Sequence, residues 1–273
     1  MKHNLRIKPN VKKKKAKKKS LKRDQIVARP RNTSVEIIKR KDRKRSIKIK
    51  NHSYDNRKYL PLSKWKNKLK DVPAFILGNA PSISDQPLSL LNSYFTIGVN
   101  RIFYIYEPTV LFWQDRELWR SNQHNLLVSK SIRVCRDFSD PRRMFLNFKL
   151  GHYPFRFSMN PEKLYGRGNS GIIAVQFAVA LGCRHIVLLG TDCKYGSNKK
   201  TDFYGKNKDH KSYTLKMCNK SMKWLKDHPP EGVKIYNCSK NDLWPERKLA
   251  DVIKEIRPEK FDKKYFHKIF AKK

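Results

Sequence analysis

The chain has 273 residues, room for one good-sized domain or for a domain and a tail. Its 63 Lys and Arg against 23 Asp and Glu give a formal charge of +40, a field that an ordinary enzyme of small anionic metabolites does not need. That charge points to a polyanion, nucleic acid first and an anionic membrane surface second. At 38% hydrophobic content, the core must be concentrated in part of the chain.

Residues 1–70 carry 28 Lys and Arg and 4 acidic residues, whereas residues 71–273 carry 35 and 19. The 11 glycines begin only at Gly78. The run from Lys12 to Lys19 repels itself and has nothing apolar to bury. Residues 1–70 are therefore expected to be a basic, mostly disordered N-terminal arm, with 56–70 as the approach to the domain. A solubilising or localisation tail is the plainer reading of the same residues. No apolar stretch follows the basic N-terminus as a signal peptide requires, and no run of 18 apolar residues predicts a transmembrane helix. The five cysteines form no CxxC and no zinc spacing, which reads as reduced thiols in an intracellular protein.

In chain order, Ala74 to Gly78 is a short apolar run ending in glycine, a buried strand. A turn at Asn79–Ser82 leads to a predicted short helix through Leu91. Tyr94 to Val99, Thr109 to Trp113 and Ile132 to Cys135 are further strands, with a helix carrying Leu118, Trp119, Leu126 and Leu127 before the last of them. Residues 142–160 show no clear period. Gly168 to Gly171 precedes an apolar helix from Ile172 to Leu181, stopped by Gly182. His185 to Gly190 is a strand, a helix follows near 211–227, Val233 to Tyr236 is the last strand, and 246–273 read as a basic C-terminal helix and tail.

Alternating strands and helices predict an α/β fold, a single Rossmann-like domain over residues 71–245 with a mostly parallel sheet. Such sheets bind ligands outside the carboxyl ends of their strands. The ends here share one chemistry: Gly78-Asn79, Asn100-Arg101, Asp115, Asp192 and Asn237 to Ser239. Small amides, hydroxyls and carboxylates suit a ribose, a base and a phosphate, although the same residue types also favour ordinary turns.

These residues resemble a known superfamily. Gly78-Asn79-Ala80-Pro81-Ser82 is similar to the GNGPS turn of two related groups: the Campylobacter-type bacterial sialyltransferases, and the proteins similar to the archaeal hydroxymethylpterin diphosphokinase, with their phage members. Asn100 resembles their second strand-end asparagine. Asn169-Ser170-Gly171, with Ala178 to Gly182 and Ile186 to Asp192, resembles their later SG…G.D block, and Asn237-Cys238-Ser239 their late NCS strand end. The likeness covers about residues 73–240 and leaves the arm unexplained.

The resemblance implies a nucleotide-linked sugar donor of CMP or UDP type. It implies that Asn79, Ser82, Asn100, Ser170 and Gly171 hold that donor, with Gly78 and Arg101 beside them. Backbone N–H groups at a glycine turn and a helix N-terminus favour phosphate, and helix capping is the competing reading of Ser170. Ala80 replaces the family's third-position glycine, which puts that turn's geometry in question. The resemblance further implies a histidine general base after the Asp192 strand end, for which His210 is the candidate, and phosphate contacts from Tyr195 and Tyr204. Imidazole suits proton transfer near neutral pH. Asp192 and Asp115 are the alternative catalytic carboxylates.

No Asp-x-Asp and no Walker A sequence occurs, so a donor site without a metal is expected, with Lys and Arg neutralising the leaving phosphate. Two classes of function follow. One is a glycosyltransferase-like enzyme with a polyanionic acceptor, such as modified phage DNA, whose base would have to be flipped with help from aromatics such as Trp113 or Trp119. The other is a non-catalytic nucleic-acid-binding protein on the same fold, acting through the arm. A Mg-dependent diphosphokinase and an acceptor at an anionic membrane are the remaining alternatives.

Overall fold

Eight short strands form one parallel sheet: β1 (Ala74–Leu77), β2 (Thr96–Val99), β3 (Val110–Trp113), β4 (Ile132–Arg136), β5 (Leu146–Gly151), β6 (Lys163–Tyr165), β7 (His185–Leu189) and β8 (Lys234–Asn237). Their order is β6-β5-β4-β3-β2-β1-β7-β8, and every neighbouring pair runs parallel. The computed structural model describes residues 58–140, 144–151, 156–166, 169–205 and 212–272. The basic arm through residue 57, with its run from Lys12 to Lys19, and His210 lie outside the described residues.

The apolar strand runs are explained by burial on both faces of the sheet. Because successive side chains alternate, Ala74 and Ile76 of β1 join one core, as do Ile186 and Leu188 of β7. Phe75, Leu77, Val187 and Leu189 join the other. The helix α2 (Ser170–Ala180), buried at every position, fills the first core. The helices α1 (Arg116–Val128) and α4 (Leu249–Ile256) cover the second. The α/β expectation is met, and the parallel pairing is complete among the described strands.

Several boundaries differ from expectation. The helix expected from Ser82 to Leu91 is two 3-10 turns, Pro81–Asp85 and Leu88–Leu91, parted by Pro87. A proline denies its own N–H and disfavours helix at the residue before it. Residues 142–160 supply β5, whose only periodic signal is a short Leu146/Phe148 alternation, and β6 follows them. The C-terminal segment is two helices, α4 and α5 (Lys263–Phe270), divided at Arg257, which takes a left-handed φ of 48° just before Pro258.

The arm also ends earlier than residue 70. Tyr59, Leu62, Trp65 and Leu69 are buried at a spacing of three, three and four, while Lys64, Lys66 and Lys68 between them and Lys70 after them are exposed. Trp65 packs at 4.2 Å between ring centres on Phe270 and 5.6 Å on Phe266, both from α5. Asn67 and Leu69 donate backbone hydrogen bonds to the last carbonyls of α2, at Ala180 and Leu181. Lysine density masked an amphipathic segment that belongs to the fold.

Candidate functional site

Between β1 and β7 the sheet changes direction. From β1 the chain steps outward strand by strand to β6, and α2 then returns it to β7 on the opposite side of β1. This is the topological switch at which open α/β sheets place ligands. A cavity of about 940 Å³ occupies that position, over the carboxyl ends of β1 to β4 and β7. The helix α3 (Ser212–Asp227) closes one wall through Thr214, Leu215 and Cys218.

Most of the strand-end residues expected from the sequence meet here. Gly78, Asn79, Asn100, Arg101 and Asp115 line the cavity, as do Ser170, Gly171, Asp192 and Tyr204. The Asn237 to Ser239 strand end does not line it, and neither do Ser82 and Tyr195. Ser82 is buried behind the wall, and Tyr195 is 42% exposed outside the lining.

Several lining residues are engaged in holding the strand ends together. A Cβ on Gly78 would meet the Gly190 carbonyl oxygen at 2.0 Å, so the glycine there serves close approach of β1 and β7. Ala80 takes φ −64° and ψ 157°, an ordinary extended geometry, so alanine fits where the family has glycine. Asn79 Nδ2 donates to the Val99 carbonyl at 2.7 Å, and its Oδ1 accepts from Arg101 N at 3.0 Å. Both ends of its amide are used in tying β1 to β2. Asp192 accepts from Ser82 Oγ, from Ser82 N at 3.2 Å and from Lys240 N at 3.1 Å. It is a knot between three loops, with its lone pairs turned to the protein, which is poor placement for a group that must take a substrate's proton. The helix cap is Asn169, not Ser170: its Oδ1 accepts from Gly171 N and Ile172 N. Ser170 Oγ instead accepts from Gln114 Nε2 at 3.0 Å and keeps its own proton to donate.

Asn100 is held differently. It sits at φ 51°, a left-handed conformation that asparagine tolerates better than most residues. Its Oδ1 is buried and has no hydrogen-bond partner among the described residues. The Arg101 guanidinium lies 5.1 Å from the centre of the Tyr204 ring, a cation–π contact that presents both at the wall. Asp115 is exposed at the rim, at the entrance to α1.

Among the solved structures that this chain is similar to are Campylobacter jejuni sialyltransferases. CstII in complex with a substrate analogue, cytidine-5'-monophosphate, is 16% identical over 64% of this chain and 82% of that one, with a TM-score of 0.39. The monofunctional alpha-2,3-sialyltransferase Cst-I is 16% identical over 65% and 78%, at 0.37, and the apo alpha-2,3-sialyltransferase is 20% identical over 63% and 78%, at 0.34. They are enzymes of one branch of the resemblance; its diphosphokinase-like branch has no counterpart among these three. No protein-family model and no curated protein matches the chain. The functional reading therefore rests on the residues of this chain.

Sequence reasoning missed four lining residues of consequence. Arg136 ends β4 and Arg116 opens α1 just past β3, so both stand at strand ends like the residues that were singled out. Extending the Ile132 to Cys135 run by one position would have found Arg136. The other two are Cys193 and Cys218, joined as a disulfide with Cα atoms 5.4 Å apart, against the expectation of reduced thiols throughout. Their separation of 25 residues holds no local signal; the fold brings the β7 end and α3 together. Cys135, Cys183 and Cys238 are free and buried, and burial pushes the Cys238 thiol up to about 12. Among the described residues no group of acidic, His or Cys side chains is placed to hold a metal, and no helix is long and apolar enough to cross a membrane.

Proposed function

We propose that this chain is a nucleotide-sugar-dependent transferase whose donor lies across the β1–β7 switch. Asn100 carries the proposal: a buried amide oxygen with no partner among the described residues, on left-handed backbone, in the wall of a cavity at the switch point. An acceptor atom so placed suits a ribose hydroxyl or a base amino group of a CMP- or UDP-type donor. The Ser170 hydroxyl and the Arg101 guanidinium, beside the α2 N-terminus, suit the donor's phosphate. Glycosyl transfer breaks the bond between the anomeric carbon and the phosphate oxygen, which keeps the electron pair. Cationic side chains facing that oxygen stabilise its charge as it develops. The acceptor hydroxyl forms the new bond and gives up its proton to a base, the role proposed for His210, with the exposed Asp115 as the alternative carboxylate. The excess charge of residues 1–70 supports a polyanionic acceptor or anchor, nucleic acid first.

The test is calorimetric titration of CMP, UDP and their sugar conjugates into the full chain, followed by donor hydrolysis without acceptor. Wild type should bind one nucleotide class, and Asn100→Ala should weaken that binding about tenfold or more, the cost of one good hydrogen bond to a ligand. His210→Ala should cut turnover by about 10²–10⁴-fold with donor affinity unchanged. Absence of binding to every nucleotide, in a folded protein, would overturn the reading in favour of a nucleic-acid-binding protein acting through its arm.

A further inference from the structure

The inward stripe of α3 is Leu215, Cys218, Met222 and Leu225, three, four and three residues apart along one face of the helix. Its second half is core, where Met222 and Leu225 are fully buried. In its first half Thr214, Leu215 and Cys218 line the cavity instead, and no side chain of residues 212–220 is buried. Short helices owe most of their stability to packing, so this half needs another hold.

Two links meet at Cys218. Its disulfide to Cys193, with Cα atoms 5.4 Å apart, ties the second turn of α3 to the loop after β7. Its carbonyl accepts from Asn169 Nδ2 at 3.3 Å, and the other end of that amide caps α2 next to Ser170. Cys193 takes φ 53°, a left-handed conformation unfavourable for a residue with a Cβ, so the loop is held under constraint at the bridge. The remaining cysteines differ. Cys135, Cys183 and Cys238 are buried, and burial pushes all three thiols up, Cys238 to about 12, which leaves almost no thiolate to exchange at neutral pH. Cys218 is only half-buried, and the cavity gives an attacking thiolate an approach to its sulfur.

We infer that Cys193–Cys218 is a thiol–disulfide exchange site that takes a dithiol as its partner, and that its state sets whether the α3 wall of the cavity is closed. One thiolate of the partner attacks the Cys218 sulfur and the S–S bond breaks, its electron pair leaving on Cys193 as a thiolate that takes up a proton. The partner's second thiolate then attacks the partner sulfur of the mixed disulfide, and Cys218 leaves as a thiolate that is protonated in turn. The dithiol becomes a disulfide, and two electrons and two protons pass to the chain. With the bridge open, the first half of α3 can move off the cavity while Met222 and Leu225 hold the second half. The Asn169 amide beside Ser170 then loses a fixed partner. The effect on nucleotide binding rests on the transferase reading above; the exchange and the opening do not.

The experiment treats the oxidised full chain with dithiothreitol in the absence of denaturant, then with iodoacetamide, and locates the alkylated cysteines by mass spectrometry. Cys193 and Cys218 should be labelled while Cys135, Cys183 and Cys238 stay protected. A bridge that remains closed in the folded protein under excess dithiothreitol overturns the exchange site. Hydrogen exchange of the oxidised and reduced chains then reads the wall. Amides of residues 216–220 should exchange about tenfold or more faster after reduction, with residues 221–227 unchanged. Equal rates in the two states, or the same acceleration along the whole of α3, overturn the opening. One chain in two states supplies this comparison, so it needs no variant; Cys218→Ser, where it folds, should match the reduced chain and ignore dithiothreitol. In calorimetry, the CMP- or UDP-type nucleotide that binds the oxidised chain should bind the reduced chain about tenfold or more weakly, and reoxidation should restore it. Equal affinity in both states overturns control of the site by the bridge. Absence of nucleotide binding in either state overturns the transferase reading, and the labelling and hydrogen exchange then decide the bridge by themselves.

Discussion

The two ends of the cavity are built on opposite principles. At the β1–β7 end, the polar side chains that stand out in the sequence are mostly bonded to the protein: Asn79 to β2, Asp192 to two neighbouring loops, Asn169 to its own helix. At the β3–β4 end, Arg116 and Arg136 carry no ion pair among the described residues and lean on Phe138, each guanidinium carbon 5.2 Å from the ring centre. Only Asn100 among the singled-out asparagines keeps a buried atom without a partner among the described residues. A strand-end residue can therefore shape a site without touching its ligand, and a motif match does not tell the two roles apart. Stability and affinity, measured on the same variants, do.

The largest effect is expected where backbones touch. Gly78→Ala puts a Cβ 2.0 Å from the Gly190 carbonyl oxygen, with backbone rather than a yielding side chain in the way. It should cost about 3 kcal/mol or more of stability, at the upper end for overpacking, seen as a fall in the urea midpoint. A stable Gly78→Ala protein would mean that the β1–β7 end is looser than its geometry. Next comes Asn79→Ala, which strips partners from the Val99 carbonyl and the Arg101 N–H. Its expected cost is about 2 kcal/mol, since two backbone groups lose their partner at once. Asn100→Gly is the counterpart. Glycine accepts the φ of 51° without strain, so stability should stay within about 1 kcal/mol of wild type while nucleotide affinity falls. Equal loss of stability in Asn79→Ala and Asn100→Gly would break the distinction between knot and contact.

The contrast explains what was legible beforehand. Strands β1, β2, β3, β4 and β7 were readable because burial on both faces forces mostly apolar runs such as Phe75-Ile76-Leu77 and Val187-Leu188-Leu189, whereas the edge strand β8, with Lys234 exposed, was readable only from its short Val233 to Tyr236 run. The segment around Trp65 was not, because four lysines are interspersed with its few apolar residues and its partners, Phe266 and Phe270, lie some two hundred positions away. The placement of Asn79, Asn100, Asp115 and Asp192 around one cavity followed from strand-end logic alone. Their division of labour did not. Whether an amide faces a backbone carbonyl or a ligand depends on a neighbouring loop, and residue type is the same in either case.

The smallest effect serves as a baseline away from both ends. Arg247, just before α4, and Glu255, on it, pair at 2.6 Å with roughly a third to a half of each side chain in solvent. The hydrogen bond from the Arg247 guanidinium holds the Glu255 carboxyl below the usual carboxylate range. A depressed folded value stabilises the protein above the unfolded carboxylate value of about 4.3, and the contribution disappears as pH falls through the lower folded value. Glu255→Gln should thus melt slightly below wild type at neutral pH, with the gap closing in acid and narrowing in high salt, as an exposed pair requires. Nucleotide affinity should not move, because neither residue lines the cavity. A change in it would show that stability losses far from the cavity leak into binding, and the affinity losses in Asn79→Ala would then have to be corrected for that leak before Asn79 and Asn100 are compared.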